Sequence, residues 1–376
     1  MKGLYVHIPF CASRCVYCGF YSTTRLEWRR RYVEALCREL DLRLPEPAGL
    51  GTVYVGGGTP SQLGADGLST LFGAIAAHSA SPLGRQGMEV TVECNPDDVT
   101  PDLAGALAGM GVNRVSMGVQ TFDDQRLRLL HRRHTAEEAV AAVERLRAAG
   151  IVNISIDLMF GFPGETTAQW EEDLRTALAL GPQHISAYSL MYEEGTPLYD
   201  KLQRGEIVET GEEESRAMYD RLIDLLTAAG YEHYEISNFA RPGFRSRHNS
   251  SYWHGVPYVG IGAAAHSYNK VERSWNVADI RAYMEGMERG ERVAGHETLD
   301  LDTRYDDLIT TALRTREGID MARMRAEYGA QLHQYLLDMA RPHIRRGLMS
   351  LNDGRLALTR EGLYVSDDIM SDLMHV

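Results

Sequence analysis

Apolar residues recur with two different periods along the first half of the chain. Six short runs rich in Val, Ile and Leu predict β-strands, at residues 4–8, 52–55, 89–94, 114–118, 153–159 and 184–190. Longer segments with apolar residues every three or four positions predict helices, at 26–44, 65–78, 100–110, 123–130, 136–149 and 167–180. Strands that are mostly followed by helices require a parallel sheet with right-handed crossovers. The pattern predicts an α/β fold, a partial (β/α)6 barrel that stays open rather than closing with eight units.

The pattern changes twice further along the chain and predicts three regions. Residues 1–191 form the barrel core, and residues 192–299 extend it with a helix at 212–229, a strand at 231–236 and a polar, aromatic, glycine-rich stretch at 239–268. Residues 300–376 then show short helices (305–315, 321–328 and 332–346), a hairpin at 348–358 and a final helix from residue 360. Asn352-Asp353-Gly354 is typical of a hairpin turn. Helices followed by a hairpin predict a small helical, winged-helix-like domain.

Charge and composition narrow the possible functions. The 376 residues are 44% hydrophobic and 24% charged, which is typical of a folded globular protein. The net charge of −13 argues against nonspecific nucleic-acid binding, and residues 300–376 carry thirteen acidic side chains against ten Arg. No apolar run approaches the ~18 residues of a transmembrane segment. Because the chain enters a strand at once, we expect no signal peptide, and unpaired cysteines favour the cytoplasm.

Three of the five cysteines lie together after the first predicted strand, at Cys11, Cys15 and Cys18. Closely spaced thiolates favour a soft metal or an iron–sulfur cluster. Zinc is the main alternative, but a structural zinc site needs four ligands, and only His7 is near in sequence. The C-x3-C-x2-C spacing fits a [4Fe–4S] cluster with three irons held by protein and one left open. The other two cysteines, Cys37 and Cys94, are interpreted as buried small apolar residues.

Further candidate groups lie at or near the carboxyl ends of the predicted strands, where such folds place their chemistry. They are the glycine run 56–60, Glu93, Gln120, Asp157 and Met191. The glycine run is either a tight turn or a backbone edge that grips a ligand. Glu93 is either a solvated strand end or a carboxylate that accepts ribose hydroxyls. Asp157, in an apolar strand, needs a partner; Arg132 is one candidate, or else a solvated charge at a helix end.

His248 differs from the other histidines because Asn249, Tyr252 and Trp253 accompany it. Imidazole is a proximal ligand for haem iron, and aromatic faces suit a flat macrocycle. A buried aromatic corner is the alternative interpretation. The residues alone do not decide between the two.

Taken together, these motifs resemble the oxygen-independent coproporphyrinogen III oxidase family of radical S-adenosylmethionine (radical SAM) proteins. The resemblance covers nearly the whole chain and rests on Tyr5 with H-I-P-F-C, the cysteine triplet, G-G-G-T-P, E-C-N-P, G-V-Q, I-D-L-M-F-G-F-P-G and H-N-x-x-Y-W. It implies a [4Fe–4S] cluster whose open iron binds SAM. The residues that it implies for the first SAM and the cluster surroundings are Tyr5, Tyr17, Gly57, Gly58, Thr59 and Glu93. For an adjoining site, where the oxidase holds a second SAM, it implies Gln120, Arg132 and Asp157.

Two departures separate the chain from the oxidase itself. The oxidase has a fourth cysteine two residues after the triplet, where this chain has Phe20, and it has a long N-terminal extension. With residues 248–253 present, both features fit the haem chaperone branch of the family, called HemW. That branch implies haem bound through His248, Asn249, Tyr252 and Trp253, with His248 on the iron, and delivery to haem proteins such as respiratory enzymes.

The same resemblance keeps two enzymatic alternatives open. One is radical decarboxylation of coproporphyrinogen III, and the other is a radical SAM reaction on an unrelated substrate. Peripheral association with a membrane through an acceptor protein is compatible with the chaperone interpretation. The sequence does not identify an electron donor for the cluster.

Overall fold

A computed structural model describes residues 2–375, and one open mixed sheet organises most of them. Its strands are β1 (Lys2–Ile8), β2 (Leu50–Gly57), β3 (Glu89–Cys94), β4 (Arg114–Gln120), β5 (Asn153–Phe160), β6 (His184–Ser189), β7 (Glu232–Glu235), β8 (Asn238–Ala240), β9 (Tyr258–Ile261), β10 (His266–Tyr268), β11 (Glu272–Asn276) and β12 (Ala294–Thr298). The order across the sheet is β12-β11-β10-β9-β1-β2-β3-β4-β5-β6-β8-β7. The strands β1 to β6 are adjacent and parallel. The predicted open barrel of six parallel strands is therefore confirmed.

Helices cover the sheet and follow the predicted positions closely. Those packed with the sheet are α1 (Arg29–Arg43), α2 (Gly64–Ala77), α3 (Pro101–Gly109), α4 (Asp124–Leu129), α5 (Ala136–Ala148), α6 (Thr167–Leu180), α7 (Pro197–Gln203), α8 (Glu212–Ala228), α9 (Arg247–Trp253) and α10 (Ile280–Glu288). Local caps set several starts. Thr100 accepts a hydrogen bond from the backbone N–H of Leu103, as predicted, and Thr135 and Thr166 each form a capping box.

Side chains alternate strictly between the two faces of the central strands. On β1, Leu4, Val6 and Ile8 are fully buried in the hydrophobic core beneath the helices. The intervening residues of the six strands point to the barrel interior, and most of them are polar. They include Tyr5, His7, Thr52, Tyr54, Glu93, Arg114, Ser116, Ser155, Asp157, His184 and Ser186. The apolar face holds the fold together, and the polar face is left for chemistry.

Residues 192–299 extend the sheet at both edges, which the sequence pattern largely missed. Here β8 pairs antiparallel with β6, while β9 pairs parallel with the outer edge of β1. Only β7 was predicted. The other strands have three to five residues each, and β12 is mostly exposed, so they lack the apolar alternation that predicts a strand. Pairing with distant strands stabilises them instead.

The C-terminal region forms a small domain with its own hydrophobic core. It contains α11 (Leu301–Ala312), β13 (Ile319–Asp320), α12 (Met321–Arg345), β14 (Met349–Asn352), β15 (Arg355–Leu358), α13 (Arg360–Leu363) and α14 (Ser366–Leu373). The hairpin of β14 and β15 is confirmed, and β13 adds a third strand. The two helices predicted at 321–328 and 332–346 are joined as α12, with a break at Gly329, where φ is +84°. Within residues 2–375, no helix combines the length and the apolar character that crossing a bilayer requires.

Candidate functional site

The three-cysteine loop follows β1 at the carboxyl edge of the sheet. Backbone hydrogen bonds fix it at both ends and in the middle: Cys11 N–H donates to Thr23 O over 2.9 Å, and Val16 N–H donates to Leu130 O over 3.2 Å. Cys11, Cys15 and Cys18 are all free and half-buried. Burial raises the pKa of Cys11 and Cys18. The fold thus presents three thiols from one loop that is anchored to two other parts of the chain.

Two hydrogen-bond donors lie beside the thiols. In a [4Fe–4S] cluster each of the three cysteines would bind a different iron, and such donors would stabilise their thiolates. Arg132 Nη1 lies 3.5 Å from Cys15 Sγ, and Thr59 Oγ1 lies 3.6 Å from Cys11 Sγ. Both groups can donate to thiolate sulfur. Of the other cysteines, Cys94 is buried as predicted, whereas Cys37 is only half-buried.

The glycine run after β2 is needed for close approach to β1 and its loop. Gly57 has a φ of +117°, and a Cβ there would lie 2.5 Å from the His7 imidazole. A Cβ on Gly58 would lie 2.9 Å from Phe10 O and 3.0 Å from Cys11 Sγ. Gly58 N–H donates to Ile8 O, and Thr59 N–H donates to Phe10 O, each over 2.8 Å. These glycines keep the cradle beside the cysteine loop clear of side chains, as the ligand-gripping interpretation requires.

Glu93 is a half-buried carboxylate that accepts hydrogen bonds from two sides. Tyr54 OH donates to its Oε1 over 2.6 Å, and Gly57 N–H donates to its Oε2 over 2.9 Å. Burial raises the pKa of Glu93 to about 7, although both hydrogen bonds lower it. Glu93 is therefore close to half-ionised at neutral pH, and ligand hydroxyls that bind the charged form would complete its ionisation. The interpretation of Glu93 as a solvated strand end is wrong.

Tyr5 and His7 form a fixed pair on the inner face of β1. His7 Nε2 lies 3.1 Å from the carbonyl of Tyr21, so Nε2 carries the proton. Nδ1 then accepts from Tyr5 OH over 3.0 Å. Burial lowers the pKa of His7 to about 4 and keeps the ring neutral. His7 holds the loop and the tyrosine in place, and both of its ring nitrogens are used.

Asp157 finds its partners among serines rather than at the predicted arginine. Ser116 Oγ lies 3.3 and 3.4 Å from its two carboxylate oxygens. Burial raises the pKa of Asp157, with hydrogen bonding from Ser186 opposing it. Arg132 contributes only a longer-range charge, because its Nη2 donates to Asn95 Oδ1 over 2.9 Å and to Gly118 O over 2.5 Å. The proposed pairing of Arg132 with Asp157 is wrong, and so is a solvated role for Arg132.

Other predicted residues lie around this edge. Gln120 is 8% exposed and adopts a φ of +69°, where the β4–β5 register shifts, and its side chain lies over Gly118. Burial raises the pKa of Tyr17, which lies beside Cys15 and Arg132. Phe20, at the position where the oxidase has cysteine, is 72% exposed, and Met191 is 63% exposed. The structure brings these groups to one end of the barrel.

His248 lies on α9 inside the barrel, away from solvent. It is 1% exposed, and it stacks on Tyr54 with ring centres 5.0 Å apart. Its Nδ1 bonds Thr52 Oγ1 and its Nε2 bonds Tyr252 OH, each over 2.8 Å. Burial lowers the pKa of His248 to about 3. Both nitrogens are hydrogen-bonded, so His248 would have to give up its bond to Thr52 or to Tyr252 before it could bind a haem iron. Its assignment as the haem ligand stays a prediction.

The companions of His248 are more accessible than His248 itself. Asn249, Tyr252 and Trp253 are half-buried. The backbone N–H of Asn249 donates to Ser246 Oγ at the start of α9, over 3.4 Å. Tyr252 and Trp253 line a cavity between α9 and the C-terminal domain. Only part of the motif therefore faces space that a ligand could fill.

Sequence reasoning missed two residues of the barrel interior. Tyr54 connects Glu93 to His248, and Arg114 is 1% exposed, with Nε and Nη1 unpaired among the described residues. The positive charge of Arg114 acts on the titration of Glu93, Asp157 and His248. No local signal distinguishes Arg114, because β3 also begins with a charged residue, Glu89.

Comparisons with known proteins agree with this geometry. The Radical SAM superfamily model matches residues 5–177, and the model of the HemN C-terminal domain matches residues 299–365. The fold is similar to that of coproporphyrinogen III oxidase (HemN) from Escherichia coli, described as a radical SAM enzyme. The TM-score is 0.86 at 22% identity, over 100% of this chain and 90% of that chain.

Curated relatives match the chain along nearly its full length. Heme chaperone HemW from Mycobacterium tuberculosis is 34% identical over 99% of this chain and 94% of its own length. Heme chaperone HemW from Bacillus subtilis is 33% identical over 98% of both chains. Heme chaperone HemW from Escherichia coli is 34% identical over 76% of each. The chain belongs to the HemW family of radical SAM proteins.

Proposed function

We propose that this protein is a haem chaperone that carries a [4Fe–4S] cluster and SAM, binds haem and transfers it to haem-dependent proteins such as respiratory enzymes. The observation that carries the proposal is the identity of 34% over 99% of the chain to a relative named as a haem chaperone. Phe20 supports it, because the family resemblance associates a fourth cysteine at that position with the oxidase.

Different residues at the carboxyl edge would hold the cluster and SAM. Cys11, Cys15 and Cys18 would each hold one iron, and the loop anchors described above keep their thiols in place. The backbone edge of Gly57, Gly58 and Thr59 lies beside Cys11, has no Cβ atom except at Thr59, and would be available to SAM. When bound, the cluster supplies one-electron chemistry at the sulfonium of SAM.

Side chains around that edge would orient SAM. Glu93 would accept the ribose hydroxyls, because it is a half-buried carboxylate that is already positioned by Tyr54 and Gly57. Tyr5 and Tyr17 would pack against SAM and the cluster. Gln120, Arg132 and Asp157 would line the adjoining site, where Arg132 is fixed by Asn95 and Gly118.

The free cysteines and the net charge support a compartment and a class of partner. All five cysteines are free, which supports a reducing compartment such as the cytoplasm. The net charge of −13 does not favour nucleic acid as a partner. Haem is the cargo, and the acceptors are haem enzymes, which would bring the protein to a membrane surface when they are membrane proteins.

Haem transfer by the reconstituted protein tests the proposal. Anaerobically reconstituted protein is titrated with haemin, and the loaded protein is then mixed with a haem-free acceptor enzyme. We expect a saturable shift of the Soret band, followed by recovery of acceptor activity faster than with free haemin. Absence of saturable binding would remove the proposal.

The enzymatic alternative is tested in parallel. Reduced protein is incubated with SAM and coproporphyrinogen III without oxygen and scored for protoporphyrinogen and 5′-deoxyadenosine. We expect no porphyrin product. Stoichiometric decarboxylation would instead assign the oxidase activity to this chain.

A further inference from the structure

The C-terminal domain is joined to the barrel by one short covalent connection, because β12 ends at Thr298 and α11 begins at Leu301. Each part has its own hydrophobic core. The buried core residues of the barrel lie within residues 4–287, and those of the C-terminal domain lie within residues 305–373. The partly buried Leu363 on α13 packs against the core of the barrel. The two parts are therefore connected without a shared hydrophobic core.

Ion pairs hold the C-terminal domain against the barrel. Five of them cross the interface with N–O distances of 2.5 to 2.7 Å, and their side chains are between 33% and 61% exposed. They are Arg216–Glu361, Arg245–Glu317, Arg273–Asp307, Arg360–Asp220 and Arg360–Asp224. Exposed pairs of this kind each shift an equilibrium by at most about fivefold, and they weaken in salt. They can hold a domain in place without fixing it permanently.

A cavity of about 650 Å³ lies in this interface, between the end of α9 and the C-terminal domain. The barrel contributes Tyr252 and Trp253 to its lining, and the C-terminal domain contributes Leu308 and Met324. The acidic side chains of the lining are all paired with arginines: Asp307 with Arg273, Glu317 with Arg245, Asp320 with Arg355 and Glu327 with Arg323. Apolar side chains that face a void forgo the contacts that packing would give them. The cavity therefore weakens the hold between the two parts.

Two backbone hydrogen bonds also cross the interface. Ile236 N–H donates to Arg314 O over 3.1 Å, and Arg316 N–H donates to Tyr234 O over 3.0 Å. They belong to an isolated bridge, which no neighbouring backbone pair supports. These two amides therefore report directly on whether the interface is closed.

The charged side chains next to this bridge are poorly satisfied. Arg314 Nη2 lies 3.8 Å from Glu235 Oε2, which is beyond a hydrogen bond. Glu235 Oε2 and Arg314 Nε are buried and have no hydrogen-bond partner within residues 2–375. The same arginine lies over the ring of Trp253, 5.0 Å from its centre, and so joins the bridge to the end of α9. Because permanent interfaces usually satisfy their buried polar groups, this pair favours an interface that water reaches when the two parts separate.

We propose that the C-terminal domain is a hinged lid, which opens about the connection at Leu299 and Asp300 and exposes the end of α9. Leu299 N–H donates to Val271 O over 2.9 Å, which fixes the barrel side of the connection. Asp300 accepts from the backbone N–H of Thr303 at the start of α11, which fixes the other side. Relative motion is the expected behaviour of two domains that are joined by a short connection and a polar interface.

The lid controls access to the aromatic side chains at the end of α9. Tyr252 and Trp253 are half-buried when the lid is closed, and they become exposed when it opens. A cargo bound against them would load and leave through the open state. This consequence rests on the proposed haem-chaperone function, whereas the motion itself does not.

Amide hydrogen exchange tests the motion. Four amides are compared: Ile236 and Arg316, which donate across the interface, Ala187, which donates within the barrel, and Met321, which donates within the C-terminal domain. We expect the two interface amides to exchange at least about tenfold faster than the other two, because opening of the lid frees them without unfolding either part. Raising the salt concentration from about 0.1 to 1 M should speed the interface amides severalfold. Equal rates at all four amides would overturn the lid.

Reversing one charge should open the lid further. Arg360→Glu places an acid opposite Asp220 and Asp224 and removes both of their ion pairs. We expect exchange of the two interface amides to rise about tenfold, while the amide of Ala187 keeps its wild-type rate. Unchanged interface amides in this variant would overturn the role of these ion pairs.

Two further variants show whether the effect depends on the interface. Arg289→Glu is the matched control, because Arg289 pairs with Glu291 at 3.1 Å, is also exposed and lies within the barrel. It should leave the interface amides at their wild-type rate. Arg360→Glu combined with Asp220→Arg should restore slow exchange, and a failure to do so would attribute the effect of Arg360→Glu to lost packing and overturn the electrostatic hold.

Stopped-flow mixing with haemin tests the consequence for the cargo. Arg360→Glu should bind and release haemin severalfold faster than the wild type, with a smaller change in Kd. Faster amide exchange together with unchanged haemin kinetics would overturn the control of access. Wild-type protein that binds no haemin would remove the haem-chaperone function, and the lid is then decided by hydrogen exchange alone.

Discussion

The carboxyl edge of the sheet and the cavity beside the C-terminal domain differ in how far their polar side chains are hydrogen-bonded before a ligand binds. At the edge, several polar side chains are already hydrogen-bonded: Glu93 is held by Tyr54 and Gly57, and His7 uses both ring nitrogens. In the cavity, Arg304 Nε and Trp253 Nε1 are buried donors without an acceptor among the described residues. The side chains at the edge are held in position before a cofactor binds. The unpaired donors of the cavity would find acceptors only in a bound ligand.

The two regions also differ in which side chains carry their charge. Burial in the barrel lowers the pKa of His7 to about 4 and of His248 to about 3, so the histidines there are neutral. It raises the pKa of Glu93 and Asp157, whose charge is therefore sensitive to a ligand. The cavity instead is lined by charges of both signs, with arginines and a lysine beside Asp307, Glu317, Asp320 and Glu327.

The largest effect should come from removing a thiol at the edge. Cys15→Ser removes one of three proposed iron ligands, so we expect the anaerobically purified protein to lose nearly all of the about four irons and four sulfides of a [4Fe–4S] cluster. Iron and acid-labile sulfide per chain are the measurement. Cys37→Ser is the control and should retain both, because Cys37 lies on α1. Full iron content in Cys15→Ser would contradict the assignment.

A methyl group in the glycine cradle should have the next largest effect. Gly57→Ala combines an unfavourable φ of +117° with a contact of 2.5 Å to His7, so we expect about 2–5 kcal/mol of destabilisation. The thermal unfolding midpoint should fall by several degrees. Gly150→Ala is the control, since its φ of +89° is also unfavourable but its Cβ would meet nothing within 4 Å. Equal losses in the two variants would show that the cradle is not tightly packed.

The ionisation of Glu93 should make SAM binding depend on pH. Its pKa is raised to about 7, so the ionised form costs stability as pH rises from about 4.5 through 7. Because ribose hydroxyls favour the ionised form, SAM affinity should increase over the same rise in pH. Glu93→Gln should bind SAM about tenfold more weakly and show no such increase. Equilibrium binding at several pH values provides the measurement.

Tyr54→Phe sharpens this test. It removes a hydrogen bond that lowers the pKa of Glu93, so the midpoint of the affinity increase should move to higher pH. An unchanged midpoint would mean that another group controls the pH dependence.

The smallest effect should come from an ion pair that joins the C-terminal domain to α8. Arg360, in the C-terminal domain, bonds Asp220 and Asp224 on α8 at 2.5 and 2.7 Å, and its side chain is 42% exposed. Exposed pairs contribute ~0–1 kcal/mol, so Arg360→Ala should lower the thermal midpoint by only about 1–3 °C. The difference should shrink in about 1 M salt. A difference that persists in salt would indicate lost packing instead.

Local sequence signals predicted the carboxyl edge of the sheet but not the cavity. The strands, the cap at Thr100 and the cysteine loop depend on neighbours in the sequence, and β3 and α6 have the predicted bounds. The cavity depends on residues 252–273 meeting residues 304–355, which no local period reports. For the same reason the pattern pointed to His248, whose burial only the folded chain reveals.

The pairing of β9 with β1 has a consequence for synthesis of the chain. Gly3 is aligned with Tyr258 and Val6 with Ile261, so about 250 further residues must be synthesised before β9 can cover the outer edge of β1. Contacts this distant in sequence slow folding, and an uncovered strand edge invites association with other chains. The nascent protein therefore exposes its cysteine loop next to an unpaired strand edge, which makes early protection by a general molecular chaperone advantageous.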